Sequence, residues 1–144
     1  MSGMIAVGSD QGVLVLRPGD SPEALWGLVS QGQHSRRIGA ICQSPDGFLY
    51  VGAEHGTIYR TRDGENWTTF VEGLTYPSVH ALSMHPEDPQ VLYAGTQPAA
   101  VFRSRGGGAH WEKLASFNAV PGAGKWSYPT PPYRAMVTTL LQHP

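Results

Sequence analysis

Cysteine is almost absent from this chain. One residue in 144, Cys42, carries a thiol, so no internal disulfide can form, and its place in an apolar run reads as a small buried hydrophobe. Charge is scarce too. Charged residues make up 15% and the net charge is −1, which excludes the broad basic field that nucleic acid or an acidic membrane would need. No apolar run approaches the length of a membrane span. Residues 1–7 lack the basic start and long apolar stretch of a secretory leader, so a cytoplasmic protein is expected if Met1 is the true start. Six histidines are present, yet none clusters at metal-ligand spacing, and no metal or cofactor is expected. A phosphate-cradling loop and a Ser-His-Asp order are missing as well. No segment keeps a helical period. Glycine and proline alone are abundant, at 18 and 12, and they fall between apolar runs as turn punctuation.

What the chain does have is repetition. Leu49-Tyr-Val-Gly-Ala-Glu-His-Gly-Thr-Ile-Tyr-Arg-Thr-Arg-Asp-Gly-Glu-Asn-Trp67 returns as Leu92-Tyr-Ala-Gly-Thr-Gln-Pro-Ala-Ala-Val-Phe-Arg-Ser-Arg-Gly-Gly-Gly-Ala-His-Trp111. A worn copy runs from Ile5 to Trp26. Gly8, Gly52 and Gly95, read as turn positions, stand 44 and 43 residues apart, and Trp67 and Trp111 stand 44 apart. A fixed period in that range marks an array of small sheets, most often the blades of a β-propeller.

Each repeat divides into four short strands with period-2 alternation. First strands are expected at 38–43, 79–84 and 137–142, each followed two residues on by Pro45, Pro86 or Pro144, which ends the ladder. His85 and His143 precede two of those prolines in one repeat slot, which suits a turn. Second strands fall at 4–9, 48–53 and 91–96, and third strands at 13–17, 57–61 and 100–104. Fourth strands start at Trp26, Trp67 and Trp111. The expected class is all-β, a single propeller segment of four-stranded antiparallel blades at about 4–30, 38–71 and 79–115. Segment 137–142 would complete the first blade, and a loop is inserted at 115–135.

The turn between third and fourth strands carries a family likeness. Thr61-Arg-Asp-Gly-Glu-Asn-Trp67 and Ser104-Arg-Gly-Gly-Gly-Ala-His-Trp111 resemble the Asp-box, or BNR repeat, written Ser/Thr-x-Asp-(Gly)-Gly-x-x-Trp. Asp63 can accept backbone amides across such a turn, Gly64 and Gly107 allow positive φ, and the tryptophan buries a large apolar face between blades. Gly106 replaces the aspartate in the second box, the first is one residue short, and Arg17-Pro-Gly-Asp20 barely matches. The resemblance to this sialidase-like superfamily implies that the boxes are structural and lie away from the binding face.

Three blades do not close a ring, since propellers carry roughly four to eight. The chain therefore reads as a piece of a longer protein or as one half of a homodimeric six-bladed ring. In the family geometry, ligands meet the entrances of the innermost strands and the turns between second and third strands. Those positions hold Arg36, Arg37, Tyr76, His80, Tyr133 and Arg134, with Asp10, Glu54 and His55 in the turns. Asp10 and Glu54 share one repeat slot, and are either a carboxylate pair or polar turn residues. First strands two and three lie 58 residues apart against 41 for the preceding pair, so a long loop is inserted there. That loop offers the flat faces of Trp126, Tyr128 and Tyr133 with Lys125 and Arg134, a mix suited to a sugar, a peptide or a proline-rich partner.

Three functions of different class follow. The first is a non-catalytic binding or assembly scaffold for a protein or carbohydrate ligand, as the resemblance to photosystem assembly factors and sortilin-type receptors implies. The second is a glycoside hydrolase of sialidase-like or xyloglucanase-like type. A sialidase needs three arginines, a tyrosine nucleophile with a glutamate, and an acid/base aspartate. Residues of the right type exist in Arg36, Arg37, Arg134, Tyr76 or Tyr133, Asp10 and Glu54, but Arg37-Ile38-Gly39 lacks the proline of the Arg-Ile-Pro signature. The third is a purely structural repeat unit.

Overall fold

The computed structural model of the chain describes residues 3–20, 27–32, 36–54, 57–76, 78–127 and 134–143. Among them, eleven strands form three antiparallel sheets. The first sheet holds β1 (Ile5–Ser9), β2 (Gly12–Arg17) and β3 (Gly27–Gly32) in that order. The second holds β4 (Ile38–Gln43), β5 (Leu49–Ala53), β6 (Ile58–Thr61) and β7 (Thr68–Phe70). The third holds β8 (Ser78–Met84), β9 (Leu92–Gln97), β10 (Val101–Ser104) and β11 (Glu112–Lys113). A helical turn α1 (Ala115–Asn118) and a 3-10 turn at Ala123–Lys125 interrupt the loop that follows.

The sheets stack face to face, and apolar side chains fill the two gaps. Val13 and Val15 of the first sheet meet Leu49, Val51 and Tyr59 of the second, with Trp67 packed alongside. Tyr50 and Ile58 of the second meet Leu92, Phe102 and Trp111 of the third. The middle sheet is thus covered on both faces, and every residue of β5 is buried. Burial on both sides explains why β5 reads as a continuous apolar run where a one-sided strand would alternate.

Gly8, Gly52 and Gly95 are not turn residues, as their recurrence suggested. They lie inside β1, β5 and β9 with φ outside the left-handed region, and what they provide is space. A Cβ at Gly8 would stand 2.7 Å from Ile38 Cγ2, one at Gly52 2.5 Å from Val79 Cγ1, and one at Gly95 2.5 Å from Val137 Cγ1. Each glycine is therefore the seat on which a β-branched side chain near the start of the next inner segment rests: Ile38, Val79 or Val137.

Segment 137–142 forms no strand and joins none of the three sheets. Val137 donates its N–H to Thr96 O at 3.1 Å and rests on Gly95, one step further along the progression set by Ile38 and Val79. Within one chain it continues past the third sheet and does not complete the blade that begins at residue 4, because the sheets advance in one direction.

The turn after β6 is tied by its own side chains. Asp63 Oδ1 accepts the Thr61 hydroxyl at 3.0 Å and the N–H groups of Glu65 and Asn66 at 2.9 and 2.8 Å, while its Oδ2 accepts Asn66 Nδ2 at 2.6 Å. The Asn66 side chain, then those two amides, hold the Asp63 carboxyl well below its usual range. After β10 the carboxylate is missing, and Ser104 Oγ takes the N–H groups of Gly106 and Gly108 at 3.3 and 3.0 Å. Both turns are also fastened to the preceding sheet: Arg17 Nη2 donates to Asp63 O at 2.8 Å, and the Tyr50 hydroxyl to Gly107 O at 2.9 Å.

Candidate functional site

The opposite end of the sheets collects the starts of β4 and β8 and the ends of β5 and β9. Both inner strands skip register there, between Ile38 and Ala40 and between Val79 and Ala81. Such a bulge re-aims the skipped residue. In β4 that residue is Gly39, where a Cβ would stand 2.2 Å from Val79 O, so the two inner strands touch backbone to backbone. In β8 the same slot is His80, which brings an imidazole to the rim.

His80 closes a small charged cluster. Glu54, one residue past β5, receives its backbone anchor from Arg37, whose carbonyl accepts the Glu54 N–H at 2.8 Å. Glu54 Oε1 then lies 3.7 Å from both Arg37 Nε and His80 Nδ1. The carboxylate and imidazole are largely buried, while the guanidinium is exposed. Ser78 Oγ approaches His80 Nε2 at 3.5 Å. Burial pushes the His80 pKa below its ordinary 6.5; Glu54 pulls it upward less strongly, and Arg37 pushes it down. The ring is therefore neutral at neutral pH, and Arg37 is the cation of the cluster.

Beside the cluster, the inserted loop is fastened to the end of β9. Asn118 Nδ2 donates to Ala99 O at 2.8 Å, Gln97 Nε2 to Arg134 O at 2.8 Å, and Ser127 and Arg134 form an antiparallel bridge. The rings of Phe117 and Trp126 meet at 5.2 Å. Together with Ala99, Met136, Val137 and Thr138 they border an open hollow of about 550 Å³. Further out, Lys113 Nζ donates to the Tyr76 hydroxyl at 3.1 Å and lies over the Tyr76 ring, which sits edge-on to Phe102.

The expected site residues are only partly brought together. Arg37, Glu54 and His80 form one cluster; Trp126 and Arg134 belong to the loop; Tyr76 stands in the pair with Lys113. Arg36 precedes Arg37, half-buried. Asp10, which shares a repeat slot with Glu54, is exposed, and the described partners of Glu54 are Arg37 and His80. His55, Tyr128 and Tyr133 lie outside the described residues. Sequence reading missed Phe117 and Lys113, whose partners Trp126 and Tyr76 are 9 and 37 positions away. No group of His, Cys, Asp and Glu among the described residues could hold a metal ion.

No protein-family model matches the chain, and no curated protein does either. Solved structures do. The GH74 xyloglucanase from Xanthomonas campestris aligns at 22% identity and TM-score 0.58, over 77% of this chain and 18% of its own. An ancestral GH74 enzyme aligns at 16% and 0.59, over 77% of this chain and 17% of its own. YCF48 bound to D1 peptide aligns at 15% and 0.54, over 74% of this chain and 35% of its own. Likeness at these identities establishes the fold, a partial β-propeller. The chain spans roughly a third or less of each of these structures.

Proposed function

We propose that the chain is a non-catalytic binding scaffold, a segment of an Asp-box β-propeller whose loop face holds an extended peptide of a protein partner. The observation that carries this reading is the apolar hollow beside Trp126 and Met136, on a loop tied to β9, with Ser127 and Thr138 as polar groups in its lining. An apolar concavity on a rigid support with a few polar groups at its edge is the usual form of a binding site. YCF48, a structural neighbour, binds a peptide, which supports the reading by analogy of fold. The Thr61–Trp67 turn, with its carboxylate accepting from the Thr61 hydroxyl, the Glu65 and Asn66 amides and the Asn66 side chain, supports the Asp-box assignment.

Hydrolysis is the second reading, favoured by the two GH74 neighbours. Glycoside cleavage takes two carboxyl groups roughly 5 to 10 Å apart. The described partners of Glu54 are Arg37 and His80, and neither is the second carboxyl group that such cleavage takes.

The deciding experiment presents the whole chain with a displayed library of short random peptides and, in parallel, with xyloglucan oligosaccharides. Enriched peptides whose affinity drops about tenfold or more on Trp126→Ala support a peptide scaffold. Release of reducing ends, abolished by Glu54→Gln, would replace it with the hydrolase; retention of neither ligand would leave the purely structural unit.

A further inference from the structure

The turns that follow β6 and β10 share one frame and differ by one carboxylate. Thr61 and Ser104, Gly64 and Gly108, and Trp67 and Trp111 hold matching slots, with Gly107 as the extra residue of the second turn. In both turns the matched glycine has positive φ, 81° at Gly64 and 96° at Gly108. Its amide donates to the hydroxyl oxygen in both, Gly64 N–H to Thr61 Oγ1 at 2.9 Å and Gly108 N–H to Ser104 Oγ at 3.0 Å. In this frame Asp63 shares a slot with Gly106, Glu65 with Ala109, and Asn66 with His110.

In the first turn the Asp63 carboxylate accepts the Thr61 hydroxyl and the N–H groups of Glu65 and Asn66. In the second, the Ala109 N–H turns instead to Gly106 O at 3.1 Å. The Ser104 hydroxyl proton and the His110 N–H have no acceptor among the described residues. Ser104 is 1% exposed and its oxygen already accepts two amides, so its proton is a buried donor of the kind that folded proteins pair. Space is available for an acceptor, because a Cβ at Gly106 would meet only Ala109 Cβ, at 3.8 Å. A hollow of about 200 Å³ opens there, lined by Arg103, Arg105, Gly106, His110 and Glu112. Glu112 Oε1 accepts Arg103 Nε at 2.8 Å and Arg103 Nη2 as well, while His110 Nδ1 lies 3.5 Å from Glu72 Oε1. The exposed Arg105 guanidinium has no hydrogen-bonded acceptor among the described residues.

We infer that the hollow at Gly106 binds a carboxylate, so that a ligand supplies to the second turn the group that Asp63 supplies to the first. One carboxylate oxygen accepts the Ser104 hydroxyl and the His110 N–H, as Asp63 Oδ1 accepts the Thr61 hydroxyl and the Asn66 N–H. The other is left for the Arg105 guanidinium, which lines the same hollow and whose planar fork suits a two-oxygen acceptor. A carboxylate is favoured over the bulkier phosphate because an aspartate side chain fills the matching place one repeat earlier. The charge of Glu112 opposes the ligand but is held on Arg103, which leaves Arg105 as the net attraction. A small free carboxylate and an acidic side chain of a partner protein present the same chemistry to these donors. The site lies at the end of the sheets away from the loop face, so it is independent of what that face binds.

Melting of the 144-residue chain in acetate, against chloride at equal ionic strength, tests the site. Acetate should raise the melting temperature saturably, by about 2–5 °C. Gly106→Asp should melt higher than the parent without acetate and lose the acetate-specific rise, because it brings its own carboxylate to the same donors. Arg105→Ala, a change at an exposed side chain, should keep the circular dichroism of the parent and need about tenfold more acetate for the same rise. A blocked Gly-Asp-Gly peptide that acts at about a tenth of the acetate concentration or less assigns the site to a protein side chain; a response equal to that of acetate assigns it to a free carboxylate. Absence of any acetate-specific rise, or a rise that persists unchanged in Gly106→Asp or in Arg105→Ala, would overturn the inference.

Discussion

Gly52→Ala is the most informative single substitution. The added methyl would stand 2.5 Å from Val79 Cγ1 and 3.0 Å from Val79 Cβ, well inside van der Waals contact. Val79 is fully buried and belongs to the inner strand of the next sheet, so relief requires the second and third sheets to separate. Overpacking of this kind costs roughly 1–3 kcal/mol. Loss of a strand glycine returns roughly 0.5–1 kcal/mol by restricting the unfolded chain. The net expectation is a destabilisation of about 0.5–2 kcal/mol. Val79→Ala alone removes buried methyls and leaves a void, at a cost of roughly 1–2.5 kcal/mol. In the double variant the new methyl occupies space that the valine gave up, so the two costs should cancel by about 1 kcal/mol or more. Urea unfolding of the four proteins measures this, a change of about 1 kcal/mol moving the midpoint by about 0.5 M for a domain of this size. Gly95→Ala is the internal control: its methyl would meet Val137, which is only half-buried and free to yield, so it should cost less. A neutral Gly52→Ala, or strictly additive costs in the double variant, would refute the seat.

Further outcomes are expected elsewhere. Trp111 is buried and its indole N–H has no partner among the described residues, so Trp111→Phe should cost about 1–2 kcal/mol against roughly 3–5 for Trp111→Ala in thermal or urea unfolding. His80 is held neutral by burial, its folded pKa below the ordinary 6.5. The unfolded chain therefore binds the extra proton, and stability, full above pH 6.5, should fall as pH drops through the folded pKa. Melting curves across that window should lose this slope in His80→Asn. Asp63 has its carboxyl held low, so its contribution is complete above 3.8 and lost in stronger acid. Asp63→Asn should flatten the acid limb of stability without altering the loop face, as peptide binding and circular dichroism would both report.

The strands were legible because their signals are local. A buried sheet needs apolar runs of set length, and proline or glycine must interrupt them, so β4 falls at Ile38–Gln43 as expected and the others shift by a residue at one end or both. The three repeat glycines were legible as a period but not as seats, because what a missing Cβ makes room for belongs to another sheet. Glu54, Arg37 and His80 were each picked out by slot, yet their union depends on a bulge that no alternation pattern reveals. The Phe117–Trp126 and Tyr76–Lys113 contacts join residues whose sequence neighbours say nothing of one another. Segment 137–142 shows the limit of pattern: its residues are those of an inner strand, and the missing element is the edge it would pair with.

The burial of β5 on both faces makes resistance to local opening unequal along the chain. Each sheet supports only its immediate neighbours, as in any linear array of packed units. Among the described residues the middle sheet has two neighbours and the first has one, so within these three sheets the amide hydrogens of β5 exchange with solvent only when both gaps open, while those of β1 exchange from an edge. Protection against exchange should therefore peak at residues 49–53 and decline toward both ends. Damage introduced at the centre propagates in two directions; damage at β1 stops at the first gap.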